Sequence, residues 1–431
     1  MTTSTQANVP RGLRTWPKTR VSELLGVEYP IILAPMNQAI TNELMGTPQL
    51  VAAVSNAGGL GIFGAGILSP DELRSNIRQI KALTKKPFGV NLLVPYERDA
   101  RDMVGMDEKI FNIKQLLGKI DLANGNDNDF DVRHAHAPTK RACRDNNGKG
   151  VVRYMDAQPT LAERPNKRMK RDYDTPMFPH YHEHLDVCIE EKVTVVQFAF
   201  GLPTFDVVYK CQMNGITTMG TCTSLEEALL LQKSGVNMLV VQGSEAGGQR
   251  AVFLSKNLEE TDRQGTFVLV PQLSRAITTI PIVASGGIMD ARGVVACLAL
   301  GAEGVMMGTA FMKSNECATS SAYKQVMDEG VTTLITRSFT GRPVRAIANS
   351  YVKLLEKEKH MIPVFPIQHN LVVDTMRQAV KQGNLSMVPI FVGQGYRMCK
   401  RAPAKVIFDE IVDGASSMLP FSFKNPAATV I

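Results

Sequence analysis

No run of about 18 uninterrupted apolar residues occurs in the 431-residue chain, so no membrane-spanning helix is expected. Histidine is scarce: the seven lie at 134, 136, 180, 182, 184, 360 and 369, and none falls in the apolar runs that read as strands. The seven cysteines (143, 188, 211, 222, 297, 317 and 399) are odd in number and form no CxxC pair. They fit reduced core thiols, which argues against a disulfide framework and against structural zinc. No serine or cysteine stands in an elbow beside a candidate base, so a nucleophilic triad is not expected. The first twenty residues hold no acid, as in a mitochondrial presequence, but Pro10 and Pro17 interrupt any amphipathic helix there. The expectation is a disordered leader on a cytoplasmic protein, with a mitochondrial address as the alternative. The ending AATVI carries no peroxisomal tripeptide.

What is present is ordinary globular composition, 44% hydrophobic and 21% charged. The net charge of +7 has one local source. Residues 131–171 contain eleven Lys/Arg against four Asp/Glu, so the rest of the chain is neutral overall. Around them, residues 96–180 form a long polar insert rich in Gly and Asn, which cannot bury enough apolar surface to offset ordering. A mobile surface excursion is expected. No aromatic stacking platform accompanies the basic residues, so no nucleic-acid partner is expected.

Eight short apolar, β-rich runs recur at 30–36, 59–66, 87–94, 193–201, 215–221, 236–243, 281–287 and 302–309. Helical patterns lie between several of them, at 47–58, 69–83, 224–235 and 290–301. Thr47 and Ser69 each precede a first-turn proline, and Ser224 stands three residues before Glu227 as in a capping box. Gly235 and Gly301 stand where helices stop. Uncharged strands alternating with capped helices imply a parallel sheet covered on its outer face. Eight units predict a (β/α)8 TIM barrel over 21–312, with the insert 96–180 between strands three and four. An open doubly wound sheet is the alternative. Residues 313–431 predict a smaller, mainly helical lid region packed on the barrel mouth.

Barrel sites lie at the carboxyl ends of the strands. Here those ends are Pro35–Met36, Asn91, Gln242–Gly243, Ser285–Gly286–Gly287 and Met307–Gly308–Thr309, poor in side chains and rich in glycine. Bare amides at the ends of strands seven and eight would surround one point, an arrangement suited to a phosphate. GLGIFG (59–64) matches a dinucleotide fingerprint in letters only; it follows a helix and reads as a strand flanked by glycines. The cluster HYHEH (180–184) reads as a surface patch, and no metal site is expected. A phosphate anchor beneath a metal-free mouth without an evident acid or base is the profile of a site where a cofactor carries the hard step.

Five separated segments in order, PIILAPMNQAITNELMGTPQLVAAVSNAGGLGIFGAG, VVQFAFGLP, GTCTSLEEALLLQKSGVNMLVVQGSEAGG, PIVASGGIMDARGVVACLALGAEGVMMGTAF and TGRPVRAIANSYV, resemble the nitronate monooxygenase (2-nitropropane dioxygenase) family. The resemblance implies an FMN-dependent barrel that oxidises alkyl nitronates with O2 to carbonyl compounds and nitrite. It implies that Pro35, Met36 and Asn91 meet the flavin, and that Gln242, Gly243, Gly247 and Gly248 line its polar edge. Ser285, Gly286, Gly287, Met307, Gly308 and Thr309 would hold the phosphate end, with Met306 where the family commonly has glutamine. It also implies a catalytic histidine after EAGG, where this chain has Gln249. Glutamine exchanges no proton near neutral pH. Nitronates, already anionic, are therefore expected as substrates, and neutral nitroalkanes hardly at all. The alternatives are an NAD(P)H-dependent FMN reductase of the enoyl-thioester or quinone type, and a flavin-holding protein without turnover. Neither a membrane nor an oligomeric state is implied.

Overall fold

A computed structural model describes residues 16–36, 45–66, 68–95, 105–118, 143–144, 150–151, 180–254 and 264–419. Its centre is a closed barrel of eight parallel strands: Ile31–Leu33, Leu60–Gly64, Phe88–Leu93, Val195–Ala199, Thr217–Cys222, Met238–Gln242, Ile282–Ser285 and Gly304–Met307. Numbered along the chain, they run 1-8-7-6-5-4-3-2 around the ring, so each neighbours its predecessor and the eighth closes onto the first. All eight sequence runs are strands. Alternate side chains point inward. Ile32, Ile62, Val195, Met219, Val240, Val283 and Met306 share one buried cluster with Val21 and Leu25 of the short helix Arg20–Leu25.

One helix follows each strand on the outside, and each starts for a legible reason where a cap is present. Thr47 Oγ1 accepts from Leu50 N, and Ser69 forms a full capping box with Glu72. The expected box at Ser224 is only half made. Ser224 Oγ accepts from Glu227 N, but the Glu227 carboxylate turns to Thr223 and to the Phe253 and Leu254 amides. The glycines of GLGIFG serve close packing. A side chain at Gly61 would stand 2.2 Å from Val51 O, and one at Gly59 2.6 Å from the Phe408 ring.

The helix after the eighth strand is Ala404–Met418, which packs between Ala291–Ala299 and Pro48–Asn56 and completes the outer ring. The ninety residues or so before it are the cap, so the stretch expected to be a lid from 313 onward ends in a barrel helix. The cap is also less helical than expected. Val344–Ile347 pairs antiparallel with Thr333–Thr336 on one side and with Gly248–Gln249 of the barrel on the other. At the opposite end, Trp16 Nε1 donates to Ser416 Oγ at 2.6 Å, and its ring meets Tyr29, which meets Phe408.

Part of the insert is regular structure. Met106–Leu117 is a helix that buries Met106 and Ile113 and packs against the cap helix Ile367–Lys381. Most of 119–179, including the basic run, lies outside the described residues. Among those described, no helix is long and apolar enough to cross a membrane, and no group of three or more His, Cys, Asp or Glu could hold a metal ion. Five of the six free cysteines whose side chains are described are buried.

Candidate active site

A cavity of about 410 Å³ opens between the carboxyl ends of the strands and the cap. From the barrel it is lined by Pro35, Met36, Asn91 and Gln242, then by Gly247, Gly248 and Gln249. Ser285, Gly286, Gly287, Met306, Met307, Gly308 and Thr309 complete the side formed by strands seven and eight. All but one of the site residues expected from sequence therefore meet on one cavity. The exception is Gly243. A side chain there would stand 2.1 Å from Thr266 Oγ1 and 2.5 Å from Glu245 Oε2, so protein packing by itself requires glycine there.

The segment 242–251 is held by its own polar groups. Gln242 Nε2 donates to Gln249 O, and Gln242 Oε1 accepts from Ala251 N. The buried Arg250 guanidinium donates through Nη1 to the carbonyls of Gln242 and Gly243 at 3.0 and 2.6 Å. Glu245 accepts from the backbone of Thr266 at the start of the helix Thr266–Ala276. Gly247 is pressed against the cap, where a side chain would stand 2.4 Å from Gly393 N. Gly248 differs: its φ is +79°, and nothing lies within 4 Å of where a Cβ would project.

At the corners of strands seven and eight, the N–H groups of Gly286, Gly287, Gly308 and Thr309 donate to no described residue. Gly286 and Gly287 have φ of +110° and +73°, a geometry that turns successive amides toward a common side. The cap closes this corner, with Gly393 N donating to Thr309 Oγ1 at 3.0 Å.

Sequence reasoning missed two groups of wall residues. Gln197 projects from the middle of strand four and Thr221 from near the carboxyl end of strand five, and Gln197 Nε2 donates to Thr221 Oγ1 at 2.9 Å. A lone amide inside the apolar run VVQFA was the readable signal. Thr340, Phe365, His369 and Phe391 come from the cap, and no local pattern marks them. Two buried acceptors, Gln197 Oε1 and Gln249 Oε1, have no donor. Phe200 lines the mouth with φ +71°, a strained position for an aromatic residue, and the Arg342 guanidinium lies 4.4 Å from its ring centroid. HYHEH is not a simple surface patch: His184 is buried, its Nε2 2.7 Å from Leu68 O.

The sequence model of the family described as nitronate monooxygenase matches residues 18–414. The chain belongs to the nitronate monooxygenase family. A probable nitronate monooxygenase of Staphylococcus saprophyticus is 35% identical over 403 residues, covering 93% of this chain and 98% of that protein. One from Staphylococcus aureus strain Newman is 31% identical over 408 residues, covering 94% and 99%. Among solved structures, nitroalkane oxidase from Streptomyces ansochromogenes is similar with a TM-score of 0.72 and 26% identity, covering 92% of this chain and 98% of that one. FabK from Thermotoga maritima is similar with a TM-score of 0.64 and 27% identity, covering 94% and 97%. As a member of this family the protein is an oxidoreductase, and the cavity is where its barrel keeps a site.

Proposed function

We propose that the cavity holds FMN and that the protein oxidises alkyl nitronates with O2, giving a carbonyl compound and nitrite. The observation that carries this reading is the pair of glycine corners, where four backbone N–H groups without an acceptor among the described residues line one cavity wall. Such donors match a phosphate monoester, and left-handed glycines let it approach without a side chain intervening. The floor suits the isoalloxazine ring. Asn91, Gln197, Gln242 and Gln249 supply neutral amides, two of them with an acceptor oxygen lacking a donor, and a flavin offers a ring N–H. Bound there, FMN would supply electron acceptance from the nitronate and electron delivery to O2.

The chain's own contribution is to bind, orient and exclude water. Phe200, Phe365 and Phe391 form the apolar side of the mouth. Gln249 is fixed by its backbone pairing with Val344, and its amide can donate to a nitro oxygen. It cannot remove a proton from carbon. The visible spectrum of the purified protein tests the cofactor, with flavin bands and release of FMN rather than FAD on denaturation expected. Oxygen uptake and nitrite formation from a preformed nitronate test the reaction. A folded, colourless preparation that ignores added FMN rejects the reading.

Gln249, which cannot serve as a base, supports a second reading, reduction by NAD(P)H of an enoyl-thioester or quinone on the same cofactor. Anaerobic bleaching by NADH or NADPH, but not by a nitronate, selects it.

A further inference from the structure

Among the described residues lining the cavity, His369 is the one side chain that titrates between acid and neutral pH; the rest are apolar, hydroxyl, amide or glycine. It reaches the mouth from the helix Ile367–Lys381, one turn after Phe365, whose ring centroid is 6.4 Å from its own. Phe365 packs with Ala199 and Phe200 at the carboxyl end of strand four and with Ala251 two residues after Gln249, and His369 lines the same cavity. Neither ring nitrogen hydrogen-bonds a described residue. The ring is thus positioned in the cavity with both nitrogens uncommitted.

We propose that His369 is the base that removes the α-proton of a neutral nitroalkane, the task Gln249 cannot perform, so that this site also accepts the uncharged substrate form. The proposal rests on the nitronate-oxidising reading above. In the step, the α-carbon–hydrogen bond breaks and its electron pair forms the C=N bond of the nitronate. The nitro oxygens take the negative charge and the imidazole takes the proton. No redox partner is needed for this half of the reaction.

The surroundings favour the neutral imidazole that the step requires. Burial first, and the positive charge of Arg377 second, hold His369 down to about 4. Arg377 is the one charge among the described residues that contributes to this lowering. Asp374 and Lys381 stand on the same helix, and Asp107, Glu108, Lys109 and Lys114 on the helix packed against it. A base so depressed is weak in the empty cavity. The anion created beside it stabilises the imidazolium in the same desolvated space, which restores its basicity as the proton moves.

The test compares nitroethane with preformed ethyl nitronate in the flavin-loaded protein and in His369→Gln. A second readout is anaerobic exchange of the nitroethane α-hydrogen in D2O, which reports deprotonation without oxidation. Unmodified protein is expected to turn over both substrates and to catalyse exchange. His369→Gln is expected to lower the ratio of nitroethane to nitronate kcat/KM by about 100-fold or more, with exchange falling in parallel. Added imidazole should restore part of both in His369→Ala, a rescue that a purely structural role would not show. An unchanged ratio of nitroethane to nitronate kcat/KM in His369→Gln overturns the proposal. Nitronate turnover without nitroethane turnover by the unmodified protein overturns it too, and leaves the reading it rests on standing. Turnover of neither by flavin-loaded protein removes both.

Discussion

Replacing Glu227 with glutamine changes one atom and should destabilise the protein by about 3 kcal/mol. The carboxylate is buried, with 1% of its surface exposed, and it accepts four hydrogen bonds. Oε2 takes Thr223 N at 2.7 Å and Thr223 Oγ1 at 2.9 Å; Oε1 takes Phe253 N at 2.6 Å and Leu254 N at 3.1 Å. A glutamine must aim its NH2 at one of these pairs. Facing Phe253 and Leu254, it meets two amide donors that cannot rotate away. Facing Thr223, it meets one such donor and a hydroxyl that can turn to accept. The second orientation is cheaper, leaving one buried N–H unsatisfied at roughly 1–3 kcal/mol. The remaining bonds change from charge-assisted to neutral, which weakens each by about half. Urea denaturation at constant slope measures the loss, and faster hydrogen exchange at the Phe253 and Leu254 amides locates it. A variant within about 0.5 kcal/mol of the parent, with both amides still protected, would show that these four contacts do not fasten the 250–254 segment.

Gly286→Val should lose bound FMN and stability together. At φ +110° a β-branched residue is strained by roughly 1–3 kcal/mol, and its Cβ would stand 3.1 Å from Ala246 N, Gly243 O and Thr266 Oγ1; flavin absorbance per protein and a melting curve read both effects. Gln249→His should raise the nitroalkane rate without lowering the nitronate rate, measured by oxygen uptake with each substrate form. Acid should weaken the fold between about pH 6.5 and 4, since burial lowers both His369 and His184 from their ordinary value of 6.5. In that window the unfolded chain binds more protons, so stability falls as pH falls, by up to about 3 kcal/mol from His369. The difference should shrink in His369→Gln, measured by denaturation at pH 7 and pH 4.5.

The barrel was legible in the sequence because its signal is local. Each strand is an uncharged run, and Thr47, Ser69 and Ser224 mark helix starts beside it. The corners at 285–287 and 307–309 were legible for a related reason, since glycine at the carboxyl end of a strand is visible in letters. Gly243 looked the same and is not the same. What excludes its side chain is Glu245 and Thr266, the latter at the start of the helix after strand six. His369 and Phe365 could not have been found, because a cap helix reaches the mouth through tertiary packing alone. The helix Met106–Leu117 was hidden differently, as an amphipathic turn of sequence embedded in a polar insert.

Trp16 is the chain's single tryptophan, and it bridges the entry to the first strand and the final outer helix through Ser416, Tyr29 and Phe408. Its fluorescence is therefore a private reporter of the seam where the ring shuts. Emission that reddens before the far-ultraviolet signal is lost would show the last helix peeling away while the strands persist. Emission and ellipticity changing together would show that the ring opens only when the whole molecule does.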